Sequence, residues 1–466
     1  MRGRARHSRA RALGVAAAFA AALAAGACVT RRVADPGPPT IVLPPPGAPA
    51  DTVARAVPIP DLPRDSAPPA ISDRTLDVRV ALATAAQQVP LTASGAWRLY
   101  DGTDGVLVRG NAGEVWVVEH RGRALRARGR GSQATAWVDG ALTLRTDAGN
   151  AFPTFAGRRY RGALRVIAGD SGLVVVNVLN VEDYLRGVVP LEIGATRNAS
   201  EQAAVEAQAV AARSYTWVRL TSANRRPDFD LLATVSDQVY GGVDAEREGT
   251  DQAVRATSGL VLKFAGRVVD APYSASCGGQ TAAPEEVWRT GPSSYLRRVS
   301  DRIPGSADRY YCEIAPRFAW TREFTSAELD AAVRSYLRSY TSGVPSSGPG
   351  HVRGVSIEAR TPSGRVASAT FLTERGAYAV RANDIRSVLR LPGGEILNST
   401  YFSVNSETAR DGSLARLTIR GNGHGHGVGM CQWGAIGRAR AGQTARAILA
   451  AYFPGTTVGP ASGMGR

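Results

Sequence analysis

From residue 76 to 181 the apolar positions come in short runs broken by glycine-centred turns. Examples are Val78-Arg79-Val80-Ala81-Leu82, Glu114-Val115-Trp116-Val117-Val118-Glu119 and Leu173-Val174-Val175-Val176-Asn177-Val178-Leu179. Runs of this length, rich in β-branched residues and scarce in helical periodicity, predict antiparallel strands. The period then changes. Ala203, Ala204, Ala207, Val210 and Ala211 recur at helical spacing, which predicts a helix over 200–220, capped by Ser200 with Glu201 in its first turn. A strand pair follows over 259–273, turning at Ala265-Gly266, then a helix-like stretch over 326–339, a Gly/Pro/Ser connector at 341–350, and strands near 352–360 and 365–372. The fold class expected is α+β, an antiparallel β-rich N-terminal region (76–170) joined to an α/β core (171–340), with a further unit at 351–458.

Between the last strand of the β-rich region and the alanine-rich helix lies Val188-Val189-Pro190-Leu191-Glu192-Ile193, a lone carboxylate among apolar neighbours. Desolvation disfavours the charged form of a carboxyl group, so this setting raises the pKa of Glu192 and suits it to donate a proton near neutral pH. The bland reading is a cap or surface charge at a strand-to-helix connection. A helix N-terminus close by would favour the carboxylate by about 0.3–1 kcal/mol, against about 1.4 kcal/mol for each pKa unit gained by burial.

Tyr184-Leu185-x-Gly187-Val188-Val189-x-x-Glu192, followed by Glu206-Ala207-Gln208-Ala209-Val210-Ala211-Ala212-Arg213-Ser214-Tyr215, resembles the SpoIID/LytB family of bacterial cell-wall proteins. A second match is Gly425-His426-Gly427-Val428-Gly429-Met430-Cys431-Gln432-Trp433-Gly434-Ala435, with a closing stretch from Ile448 to Thr456. The resemblance covers roughly residues 76 to 458, and two long motifs in order are a specific signal. It implies action on peptidoglycan. Sporulation members are lytic transglycosylases that cut glycan strands stripped of stem peptides, whereas the LytB branch is described as enhancing amidases. Glu192 stands at the family's catalytic glutamate, and Arg213, Tyr273, His426 and Gln432 are expected substrate contacts through their motif positions. His424 occupies a position that is usually aromatic, and Cys431 one where serine is common. The alternative from another class is a non-catalytic wall-binding protein that stimulates a cell-wall amidase. No nucleophile elbow or cysteine–histidine constellation points to a serine or cysteine hydrolase.

Composition bears on compartment and partners. Arg2, Arg4, Arg6, Arg9 and Arg11 precede a short apolar stretch at 12–26, the pattern of an export signal too short to span a bilayer. Ala25-Gly26-Ala27-Cys28 resembles a lipoprotein processing site, with Cys28 as the lipidated residue and a membrane anchor as its consequence; ordinary signal cleavage nearby is the alternative. Losing the five arginines of residues 1–27, which hold no acid, takes the net charge from +16 to +11. A basic exported chain favours anionic partners. Peptidoglycan glycan strands with their lactyl carboxylates fit, whereas no nucleic-acid motif is present. Residues 28–75 are proline-rich and read as a tether. Arg158, Arg159, Tyr160, Arg161 and Arg165 supply charge and a ring suited to a sugar acid, or simply a solvated strand face; the β-rich region is a scaffold or a glycan-binding face.

Ser274-Ala275-Ser276-Cys277-Gly278-Gly279-Gln280-Thr281 is similar to a family stretch that carries histidine where Gln280 stands, near which some members bind zinc. Around Cys277 the local sequence offers one ligand of the four that a structural zinc site needs, so no metal and no cofactor are expected. His424 and His426 lack further ligands. A Cys277–Cys312 disulfide suits an exported protein, with two free buried thiols as the alternative.

Overall fold

The computed structural model describes residues 76–461 other than 224, 225, 411 and 412, together with the backbone of Arg31–Arg32, which pairs antiparallel with Glu407 and Thr408. The export signal, Cys28 and the rest of the expected tether lie outside the described residues. The fold class is α+β, with helices segregated from several mainly antiparallel sheets. No helix among the described residues is long and apolar enough to cross a membrane.

The β-rich part forms two sheets. In the larger, seven-stranded one, Gly172–Asn180 lies between Asp77–Ala86 and Ala163–Gly169, antiparallel to both. Its continuous apolar run is explained by burial on both faces. Asn177, fully buried within it, is satisfied by donating Nδ2 to the carbonyls of Arg161 and Ala163 at 2.8 and 3.0 Å and by accepting from the Tyr240 hydroxyl at 2.8 Å.

This strand feeds directly into helix α1, Val181–Ile193, where the sequence pattern gives only a connection. Asn180 caps the helix by accepting from the Glu182 N–H at 2.8 Å, and Glu182 and Asp183 in the first turn complement the dipole. The β-branched pair Val188-Val189 and Pro190 mask the helical signal, but Tyr184, Leu185, Val188 and Val189 share a face that is fully buried. Truncating Leu185 to alanine there would cost about 2–5 kcal/mol. Helix α2, Gln202–Thr221, follows a 3-10 turn at Ala199–Glu201 preceded by Asn198, so the residue at the head of this segment is Asn198 rather than Ser200. The fully buried alanines 204, 207, 209, 211 and 212 let neighbouring helices approach α2 closely. The Ala265-Gly266 turn is as expected, with both residues at positive φ (49° and 79°), the geometry of a two-residue hairpin turn.

The buried apolar residues fall into two main cores. The first gathers the β-rich part, α1, α2 and the stretch from Val428 to Phe453. The second gathers Trp320, Phe324, Leu329, Val333 and Leu337 with residues from Val352 to Ile419. The expected boundaries therefore differ from the packing. The connector at 341–350 lies inside the second unit, and the Gly-His-Gly segment returns to the first core.

Candidate active site

Glu192 sits in the last turn of α1, half-buried, on the face it shares with Tyr184 and Val188 at successive helical spacings. Its sequence neighbours Val188, Val189 and Ile193 are buried in the core, while Leu191 is 44% exposed, so the groups around the carboxyl come from other elements. Oε1 accepts from the Val239 N–H at 2.9 Å. The side-chain amide of Gln432, the first residue of helix Gln432–Arg440, donates to the same carboxyl and also to Gln208 Oε1, 3.3 Å away on α2.

Loss of solvation raises the pKa of Glu192 above the ordinary carboxyl value, and the bonds from Val239 and Gln432 pull it back only in part. No cation and no second carboxylate is among the groups that set this balance. The helix-end effect has the sign opposite to that expected from sequence. Glu192 lies at the C-terminal, partially negative end of α1, which opposes ionisation instead of favouring it.

A hydrogen-bonded array backs the carboxyl. Gln238 Oε1 accepts from the Tyr184 hydroxyl at 3.2 Å and from Thr216 Oγ1 at 2.9 Å, while its Nε2 donates to the Tyr273 hydroxyl at 2.7 Å. Tyr184 and Tyr273 both feel the Glu192 charge, and burial pushes both phenols well above their usual pKa, so they stay neutral. Tyr215 donates to Asp237 Oδ1 at 3.2 Å beside them. Gln208 stands within the motif that carries the resemblance but was not singled out there; Gln238 and Asp237 had no signal in the sequence and lie in a loop with no periodicity.

Tyr273 and Gln432 thus come to Glu192, and the other two expected contacts do not. Arg213 is 1% exposed and fully engaged: Nε and Nη2 bond the Glu182 carboxylate at 2.7 and 2.8 Å, and Nη1 bonds the Leu260 carbonyl at 3.0 Å. It ties α2 to α1. The His426 ring bonds backbone groups on both sides. Its Nε2 donates to the Tyr273 carbonyl at 2.8 Å and its Nδ1 accepts from the Val428 N–H at 3.1 Å, which fixes one neutral tautomer. Loss of solvation, reinforced by Arg386 and Arg365, pushes its pKa down to about 4. The segment is threaded tightly: Gly429 has φ 73°, and a Cβ there would sit 2.0 Å from the Pro272 carbonyl oxygen. Parallel pairing of Tyr273 with Met430 and Ser274 with Cys431 holds the two motifs in register.

The basic cluster at 158–165 is mostly spent on ion pairs. Arg159 bonds Asp244 and Arg161 bonds Glu246, each at 2.6 Å, and the Tyr160 side chain is buried. Arg165 instead lines a groove of about 590 Å³ over the seven-stranded sheet with Arg145, Asp101 and Asn180, away from Glu192.

Cys277 and Cys312 are not joined. Both are free thiols, Sγ to Sγ 3.6 Å, and the third described cysteine, Cys431, is free and buried alongside them. The expectation of no metal ligands rested on counting residues near Cys277 in sequence, and the fold corrects that count by bringing Asp301, Cys312 and Cys431 to Cys277.

The model of the family described as stage II sporulation protein, SpoIID, matches residues 169–264, and the chain belongs to that family. A domain of unknown function, DUF8618, matches residues 305–429, close to the second core. An uncharacterized protein of Brachyspira hyodysenteriae is 32% identical over 306 residues, 66% of this chain and 73% of that protein. The amidase enhancer of Bacillus subtilis is 30% identical over 301 residues, 59% of this chain but only 40% of its own length. Stage II sporulation protein D of Bacillus subtilis is 29% identical over 301 residues, covering 61% of this chain and 76% of that protein.

Proposed function

We propose that this protein is an exported peptidoglycan lytic transglycosylase, with Glu192 as its proton donor and acceptor. The observation that carries the reading is the carboxyl itself, half-buried at the end of α1, held by Val239 and Gln432 and biased towards its neutral form. Protonated Glu192 gives its proton to the glycosidic oxygen as the bond to the anomeric carbon breaks. The resulting carboxylate then takes the proton of the sugar's own 6-hydroxyl as that oxygen attacks the anomeric carbon. The products are a 1,6-anhydro-N-acetylmuramic acid end and a new free hydroxyl, with no water consumed. One carboxyl suffices, unlike the pair used by most glycoside hydrolases.

Digestion of purified glycan strands, with and without stem peptides, followed by mass analysis tests this. Anhydro ends are expected; reducing ends that carry oxygen from labelled water would mark a hydrolase instead. A second reading is favoured by the relative named amidase enhancer: the chain binds glycan and stimulates a cell-wall amidase, with Glu192 serving as a glycan contact. Intact glycan together with faster amidase turnover would decide for it. In either case Cys28 is proposed to anchor the protein by lipid to a membrane facing the wall.

A further inference from the structure

Next to Gln432 in the chain, Cys431 joins three side chains from distant segments. The Sγ atoms of Cys277, Cys312 and Cys431 and a carboxylate oxygen of Asp301 all lie within 4.8 Å of one another, and all four residues are completely buried. We propose that they form a structural site for a tetrahedral zinc ion. Zinc–sulfur bonds of about 2.3 Å and a zinc–oxygen bond of about 2.0 Å set ligand-to-ligand edges of roughly 3.5–3.8 Å. Cys277 Sγ lies 3.6 Å from Cys312 Sγ, at that spacing, and 3.9 Å from Asp301 Oδ2, a little beyond it. A soft set of three thiolates and one carboxylate selects zinc over magnesium or calcium.

Three features support a metal over a disulfide. The thiols are odd in number, so joining Cys277 to Cys312 strands Cys431 against the new bond. The outer partners are built for ligation. Asp301 Oδ1 accepts from the Tyr452 hydroxyl at 2.7 Å and from Arg438 Nε at 3.3 Å, which turns Oδ2 towards Cys277. Cys431 Sγ accepts the N–H groups of Cys277 and Gly434 at 3.1 and 3.3 Å, as a ligating thiolate does.

Charge is the third feature. Three thiolates, a carboxylate and a divalent cation sum to two negative charges, and two buried arginines face the cluster. Arg438 is one. Arg365, 1% exposed, is the other; Nη2 donates to the carbonyls of Cys277 and Gln280 at 2.9 and 3.0 Å, while Nε and Nη1 make no hydrogen bond among the described residues. The nearby carboxylate of Glu286 is already taken by the N–H groups of Ala283 and Ser363 and by Arg298. With neutral thiols, Arg365 would be a buried cation with little to balance it. The bound ion would pin Cys431 and hence the adjacent Gln432 to the 277 turn, whichever reaction Glu192 serves.

The test uses the full chain purified without chelator or reductant-stripping oxidants. Elemental analysis should find close to one zinc per chain, with all three thiols protected from alkylation until a chelator and denaturant are added. Cobalt exchange should give tetrahedral visible bands and an intense thiolate-to-cobalt charge-transfer band. Asp301→Asn and Cys431→Ser should each weaken metal retention by at least roughly tenfold. A Cys277–Cys312 disulfide in non-reducing peptide mapping, or a folded chain with free thiols and no metal, overturns the proposal. Because both of those readouts use the unmutated protein, they stand even if the variants fail to fold.

Discussion

The guanidinium of Arg213 grips Glu182 through two bonds, at 2.7 and 2.8 Å, with the arginine side chain 2% exposed. This pair fastens α2 to the start of α1, the helix that carries Glu192 at its other end. Breaking a buried pair by removing one partner costs about 3–5 kcal/mol. Arg213→Met should therefore lower the thermal midpoint sharply, and residual activity per folded molecule should stay near the wild-type value. A loss of glycan binding at unchanged stability would return Arg213 to the substrate site.

Glu192→Gln keeps shape and hydrogen bonding but removes the titratable proton. Glycan cleavage should fall by about 100- to 10,000-fold with strand binding retained. Mass analysis of the digest alongside a strand-pulldown assay separates the two effects, and full activity in the variant would remove Glu192 from the chemistry.

The same substitution reports on the raised pKa. A carboxyl whose folded pKa lies above its unfolded value of 4.5 favours folding most below pH 4.5, and that contribution is lost as pH rises through the folded value. Glu192→Gln should thus stabilise the protein at neutral pH, with the gain disappearing as pH falls below about 4.5. Thermal melts across pH check the sign.

Gln432 lowers the pKa of Glu192 by donating to it. Gln432→Leu keeps water out while removing the donor, so the pKa should rise further. The alkaline limb of the cleavage profile, where the acid form is lost, should move to higher pH. An unmoved limb would mean that the amide acts on the glycan alone.

His351 Nδ1 meets Asp330 Oδ2 at 2.6 Å, and that bond raises the imidazole pKa above 6.5. The contribution of this pair to the second unit should accordingly be fully present below pH 6.5 and be lost as pH rises through the folded value. In His351→Gln this pH dependence should flatten, as hydrogen exchange of residues 352–360 would register.

Much of this was legible from residues that act locally. The alternation at Val78–Leu82 and the alanine spacing of α2 name their elements because burial there follows a simple period. The helix α1 was hidden because Val188, Val189 and Pro190 each disfavour it, and the Asn180 cap and the burial of Tyr184 and Leu185 outweigh them. The raised pKa of Glu192 was readable, and burial is its cause, but the neighbours are not those expected: its apolar sequence neighbours face the core, and Val239, Tyr273 and Gln432 stand beside the carboxyl. The cysteines were beyond reach for a related reason. Each is isolated in sequence; the pairing of Ser274 with Cys431 brings two of them together, and the turn at 311–314 brings Cys312.

The second core enters along the strand Ala319–Thr325 and leaves along Leu414–Asn422, and these two strands are paired, with Ala319 opposite Asn422. Entry and exit are therefore side by side, so the unit hangs from the first core like a cassette on two adjacent pins. A tight link between those points would close the first core without stretching it. What the excised chain would miss includes Arg365, the arm that the cassette reaches back to the carbonyls of Cys277 and Gln280, and the bonds of Ser363 to Glu286 and of Arg298 to the Pro362 carbonyl. A cassette grafted from a relative would have to bring these contacts with it.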